Sequence, residues 1–255
     1  STMKAIRLFL LELGRMLRSR LAWLVILLVV VSPAAGLVLY TPADAETMRS
    51  MYLANPALAG GVIGGILFGL LTVFELDRAT RSRVDMLLDA AVSPHTMALV
   101  RLMALFAAAA LAAVLAMLAW LPVSLRLIGI VFDGTEYGLA YLLFMGLALP
   151  LAILAAASAC QITRHADLSL VLFAAFAALS LTVWADDWQL CWLNPCVWAM
   201  SDDFTNFRLF RSVAYMRLSW LGILAGVWGI SYLCIRCYGK GLLGSLRRGA
   251  RRAYR

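Results

Sequence analysis

The stretch Ser50-Met-Tyr-Leu-Ala-Asn-Pro-Ala-Leu-Ala-Gly-Gly-Val-Ile-Gly-Gly-Ile-Leu-Phe-Gly-Leu-Leu-Thr-Val-Phe74 lies between Arg49 and Glu75 and holds 25 consecutive residues without a charge. A helix rising about 1.5 Å per residue needs about 20 residues to cross the hydrocarbon core of a bilayer, so this run is long enough. Five further charge-free runs lie between Arg20 and Asp44, Arg101 and Arg126, Glu136 and Arg164, Asp167 and Asp186, and Arg217 and Arg236. They hold 23, 24, 27, 18 and 18 residues. The two shortest suffice for a crossing, and the longest can tilt or extend past the core. The pattern predicts an all-α, polytopic membrane protein with six transmembrane helices, at about 21–40, 55–74, 100–121, 137–162, 168–185 and 218–236.

Composition agrees. The chain is 64% hydrophobic and 14% charged, with a mean hydropathy of +0.88, more apolar than soluble domains usually are. Six spans fill most of 255 residues, which predicts a single transmembrane domain over 1–255 with no separate soluble catalytic unit. Any chemical energy must then come from elsewhere.

Lys and Arg set the expected orientation, because positively charged loops stay cytoplasmic. One side collects 17 of the 22 basic residues: the N-terminal segment, the second connection, Arg164 and the C-terminal tail. Both termini are expected in the cytoplasm of a multi-pass plasma-membrane protein. The net charge of +8 follows from this topology and does not call for nucleic acid as a partner. The basic tail over 237–255, with Arg247, Arg248, Arg251 and Arg252, is expected to attract anionic membrane lipids.

At the N-terminus, Met3, Ile6, Leu10, Leu13 and Leu17 share a helical face opposite Arg7, Arg15 and Arg18. Residues 3–19 therefore read as an interfacial elbow helix on the cytoplasmic leaflet. The apolar stretch after it is too long for a secretory signal. In the second span, Gly60, Gly61, Gly64, Gly65 and Gly69 recur at four-residue spacing, so a neighbouring helix can approach closely. Spacing alone leaves open whether that neighbour belongs to the same chain or to a second copy. Between Asp187 and Asp202 an uncharged run with Trp188, Trp192, Pro195 and Trp198 is too short to span. Such runs suit the interface, and 186–217 reads as an outer re-entrant loop between spans five and six.

Cys191 and Cys196 both fall on that outer side, where a disulfide is chemically permitted. Cys234 and Cys237 have two-residue spacing but no second pair, and Cys160 is alone in the fourth span, so no metal site is expected. His95 and His165 lack the neighbours of a hydrolase triad, and no phosphate-binding glycine loop is present. No catalytic residue and no cofactor is expected in this chain. No ionisable residue falls near the middle of a predicted span, which weighs against an ion-coupled carrier.

The connection over 75–95 carries Glu75, Asp77, Arg78, Arg81, Arg83, Asp85, Leu87, Leu88, Ser93 and Pro94, with Arg101 at the start of the third span. It resembles the signature region of type-2 permeases of ATP-binding-cassette transporters. There a glutamate ends the second span, a charged segment leads to an amphipathic leucine pair, and a small residue plus proline precede the third span. Glu75, Leu87, Leu88, Ser93, Pro94 and Arg101 match in order. The usual Gly-Thr is replaced by Arg81-Ser82-Arg83-Val84, and Asp85 stands at the acidic position. Residues 156–167 also look like the family's short second cytoplasmic loop.

The resemblance implies an ATP-driven exporter subunit, bacterial and of the inner membrane, that pairs with a second permease chain. Separate ATP-binding-cassette ATPase subunits would hold the ATP and Mg. It implies that 75–95 is a cytoplasmic coupling region, with Leu87 and Leu88 packing into the ATPase, Asp85, Arg78 and Arg81 docking by charge, and Glu75 at the membrane boundary. The competing readings are a non-transporting membrane scaffold or assembly subunit, and an ATP-independent carrier or channel.

Overall fold

A computed structural model describes residues 2–41, 50–82, 92–195, 208–234 and 241–253. The described residues form helices joined by short turns, with no strand among them. In chain order the helices are α1 (Thr2–Leu17), α2 (Arg20–Val38), α3 (Met51–Arg81), α4 (Pro94–Val131), α5 (Gly134–Thr163), α6 (Ala166–Leu181), α7 (Arg208–Cys234) and α8 (Gly241–Ala253). Pro33 converts α2 locally to a 3-10 turn over Ser32–Ala34, and α5 contains a π-helical turn over Tyr141–Gly146.

Five of these helices, α2 to α5 and α7, are long and apolar enough to cross a membrane. Their outer faces are apolar: Leu24, Leu27, Leu118, Ile223 and Ile230 are each more than half exposed. A soluble monomer rarely exposes so continuous an apolar surface.

The expected fifth span, 168–185, needs correction. Helix α6 has 16 residues, about 24 Å, and ends where Thr182 leaves helical geometry at φ −122° and ψ −80°. Turns follow over residues 182–186. The expected outer loop 186–217 is also shorter than predicted, because Arg208 to Arg217 are already the first turns of α7. Arg217 marked the end of a loop in the sequence, yet a helix can carry an arginine through apolar surroundings when carbonyls accept from its guanidinium, as those of Phe144, Trp192 and Leu193 do here. In the same way, residues 75–81 of the expected coupling connection are helical and continue α3. Residues 94–99 already belong to α4, and the basic tail contains α8.

Helices α3 and α5 form the centre, packed along each other, with α2, α4, α6 and α7 around them. The glycines of α3 make this possible. A Cβ on Gly61 would lie 2.1 Å from the Phe144 carbonyl oxygen, and one on Gly69 would lie 2.0 Å from the Phe173 ring. Gly60 faces Pro33 and Met145, Gly64 faces Leu149 and Val29, and Gly65 faces Leu193. All five therefore pack within one chain, which resolves the alternative left open by their spacing. At the rim, the Trp120 indole donates to the Val30 carbonyl at 2.7 Å and ties α4 to α2.

Helix α1 buries Met16 and half-buries Phe9, Leu13 and Leu17 against the bundle, while Met3, Ile6 and Leu10 remain exposed. The apolar stripe read from the sequence is thus divided between the protein and the outside. Ser19 is extended, at φ −74° and ψ 128°, so the chain turns between α1 and α2. The Trp23 indole donates to the Leu17 carbonyl at 2.6 Å and holds that turn.

Candidate functional site

The ends of five helices meet around a cavity of about 660 Å³. Its walls come from the last turns of α3, α5 and α7 and the first turns of α4 and α6. Volumes of this size suit small-molecule ligands.

Local rules explain how each wall is set. Ser93 caps α4, its hydroxyl accepting from the Thr96 amide at 3.3 Å, and Pro94 occupies the first turn, where its missing N–H costs nothing. That cap starts the helix that carries Arg101, Leu102 and Leu105 into the wall. Helix α5 ends at Arg164, which sits at φ 55° and ψ 19°. Arg164 is the one non-glycine residue with positive φ among the described residues. Its amide closes α5 on the Cys160 carbonyl at 2.9 Å. The turn into α6 is pinned by Thr163 and Ser169, whose hydroxyl oxygens are 2.7 Å apart, and by the Ser169 hydroxyl donating to the His165 carbonyl at 2.7 Å. On the far wall Trp228 and Tyr232 of α7 stack at 5.6 Å, and His95 meets Tyr232 edge-on at 4.8 Å.

The end of α3 has two working faces. Val73, Leu76, Asp77 and Thr80 line the cavity. Glu75, on the other face, is buried and accepts from Arg15 of α1 at 2.8 Å, with Arg78 at 3.6 Å. Arg15 also bonds Glu12 at 2.5 Å. Burial lowers the pKa of Arg15, but its hydrogen bonds to Glu12 and Glu75, with their charges, outweigh that and raise it above the ordinary guanidinium value. The cation sits between two carboxylates. Asp77 is tied to Arg81 at 2.8 Å, which offsets its charge toward the cavity.

The structure thus separates the residues singled out in the sequence. Glu75 and Arg78 belong to the α1 junction, Arg81 to an exposed ion pair, and Pro94 and Arg101 to the cavity. Asp85, Leu87 and Leu88 lie outside the described residues, as does Cys196. Cys191 is buried beside Trp192 and Leu193. No cluster of three metal-ligating side chains occurs among the described residues.

Sequence reading missed Arg164, Gln161 and the aromatic pair Trp228–Tyr232 as site residues. Only Arg164 carried a signal, as a basic residue just after a long apolar run, where it read as topology. It also missed a second polar centre deeper in the fold. Arg217, fully buried, donates through Nη2 to the carbonyls of Phe144 at 3.1 Å and Leu193 at 3.2 Å, and through Nη1 to that of Trp192. Trp192 in turn stacks on Phe176 at 4.7 Å, and Leu193 donates its amide to the Ser180 hydroxyl at 3.0 Å. This centre joins α5, α6, α7 and the segment after α6.

Comparison of the chain with protein-family models, with curated proteins and with solved structures finds no match.

Proposed function

We propose that this chain is the transmembrane permease subunit of an ATP-binding-cassette transporter of the type-2 kind, an exporter driven by ATP hydrolysed on separate subunits. The observation that carries the reading is the ion pair between Glu75 and Arg15 at the end of a continuous α3. Helix α3 runs unbroken from the core past its charged end to Arg81, so a force on the connection that follows is delivered directly to the central helix. The Arg15 contact makes α1 move with it. A lever of this kind needs a rigid arm and an anchored pivot, and α3 with α1 supplies both. A second permease chain completes the assembly.

Six crossings fit this reading. The closed ends of α3, α5 and α7 share one cavity, α1 contacts the same end through Glu75, and Gly241 of α8 lies against the carbonyls of Gln161 and Ile162. This arrangement supports an even number of passes with both termini at the basic, cytoplasmic face, α6 making its pass as a short helix. Leu193 reaches Gly65 in mid-α3, which supports a re-entrant segment after α6. The exposed Met3, Ile6 and Leu10 of α1 support an elbow helix in contact with lipid. The membrane is the inner membrane of a bacterium.

The test is purification in mild detergent after expression with the neighbouring genes, with identification of co-purifying subunits and an ATPase assay. A stoichiometric partner with nucleotide-binding motifs, whose ATPase stimulation is lost on Leu87→Asp with Leu88→Asp while insertion is kept, is the expected result. A chain that purifies without an ATPase favours the scaffold, carrier or channel readings.

A further inference from the structure

The cavity has a gradient of polarity along its depth. On α3 the wall runs from Thr80 and Asp77 to Leu76 and Val73, and from Arg164 at the end of α5 through Gln161 to Ala157, while on α4 Pro94, Met97 and Ala98 precede Arg101, Leu102 and Leu105. From Pro94 to Leu105 the wall extends about 16 Å along α4. Arg164 therefore stands at the charged end of the bundle, and an apolar space lies behind it.

Two observations mark the polar end as built for a ligand. Gln161 is 8% exposed and its Nε2 donates to no described group. Arg164 forms no ion pair among the described residues, and its buried Nε is likewise without an acceptor. Arg164 also holds a left-handed backbone at a helix C-terminus, where glycine is the unstrained choice. The chain keeps an arginine side chain there at a cost in backbone strain. The single carboxylate in the wall, Asp77, is paired with Arg81 and not with Arg164.

We propose that this cavity binds a single-chain anionic amphiphile, its phosphate or carboxylate head at Arg164 and Gln161 and its tail along Leu102, Leu105 and Trp228. A free inorganic anion uses only the polar end and leaves the apolar depth unfilled. A neutral apolar molecule leaves Arg164 and Gln161 unsatisfied. An amphiphile satisfies both, and its head and tail have the same order as the cavity. The inference is independent of the permease reading, because binding requires no ATPase partner.

The test uses the full chain in maltoside detergent with dodecyl phosphate carrying a diazirine in its tail, photolysed and mapped by peptide mass spectrometry. Adducts are expected on Leu102, Leu105 and Trp228, competed by unlabelled dodecyl phosphate and not by inorganic phosphate at the same concentration. Arg164→Gly is expected to lower the yield at least about tenfold, as for loss of a charged hydrogen bond. It should melt at or above the wild-type temperature, since glycine relieves the strained backbone. That combination separates ligand binding from a structural role for Arg164. Ala98→Trp, which puts a ring into the cavity, is expected to lower the yield by an independent route. Equal labelling of both variants, or equal labelling by the matching phosphocholine analogue, overturns the proposal. Displacement by inorganic phosphate alone reassigns the site to a free anion and overturns the amphiphile.

Discussion

The guanidinium of Arg217 and the carbonyl oxygen of Phe144, 73 residues apart in the chain, meet at 3.1 Å in the interior of the bundle. Phe144 lies in the π-helical turn of α5, where the Leu147 amide reaches back to Leu142 at 2.9 Å and the regular α-helical ladder is interrupted. One fork of donors then joins this turn to the carbonyls of Trp192 and Leu193. A buried arginine is costly unless its donors are used, and here carbonyls from two separate segments accept from both Nη atoms, while Nε has no partner among the described residues.

Replacing Arg217 leaves those carbonyls without donors. Arg217→Lys and Arg217→Leu are each expected to destabilise the fold by about 2–4 kcal/mol, because a point ammonium cannot span three acceptors and leucine offers none. Denaturant unfolding in bicelles measures the loss, and faster amide exchange at 190–194 is expected with it. Unchanged exchange there shows that Arg217 does not hold the segment.

Trp192 supplies the second attachment of that segment, with its indole donating to the Phe176 carbonyl at 3.2 Å and its ring stacked on Phe176. Trp192→Ala should cost about 3–5 kcal/mol, whereas Trp192→Phe keeps the stack and should lose about 1 kcal/mol. Melting temperatures of the two variants decide between packing and the hydrogen bond as the main contribution.

The junction of α1 with α3 is tested by a double-mutant cycle on Arg15 and Glu75. Each single change, Arg15→Ala or Glu75→Gln, is expected to cost about 1–3 kcal/mol, and the double variant less than their sum. Arg78 at 3.6 Å keeps part of the charge on Glu75 compensated, so Arg15→Ala should fall at the lower end. Strict additivity removes the contact from the account of how α1 is held.

Glycines of identical type should behave in opposite ways. Gly61→Ala places a Cβ 2.1 Å from the Phe144 carbonyl oxygen and must separate α3 from α5. It is expected to lower stability by about 1–3 kcal/mol, as overpacking does. Gly226→Ala in α7 meets nothing within 4 Å, and helix propensity should raise stability by up to about 1 kcal/mol. Parallel unfolding curves settle the comparison, and equal effects at both positions refute the close packing of α3 on α5.

The spans were legible because the bilayer imposes a length and an absence of charge that composition records directly. The runs before Asp44, Glu75, Arg126 and Arg164 each mark a membrane-length helix in the structure. The glycine run of α3 was legible as a close-packing face, since only the absence of a Cβ permits that approach. The ends of helices were harder to read. Charge marked Glu75 and Arg217 as boundaries, yet ion pairs and carbonyl ligands let the helices run through both.

By itself the sequence determined that the chain is helical, apolar enough for a membrane and polarised in charge, because these follow from residue type and spacing along one dimension. Tertiary structure alone decided which faces the glycines meet, where Arg217 finds its carbonyls, and that Arg101, Gln161 and Arg164 border one cavity. Those relationships join residues far apart in sequence, and they depend on the relative rotation and depth of packed helices, which no local pattern encodes.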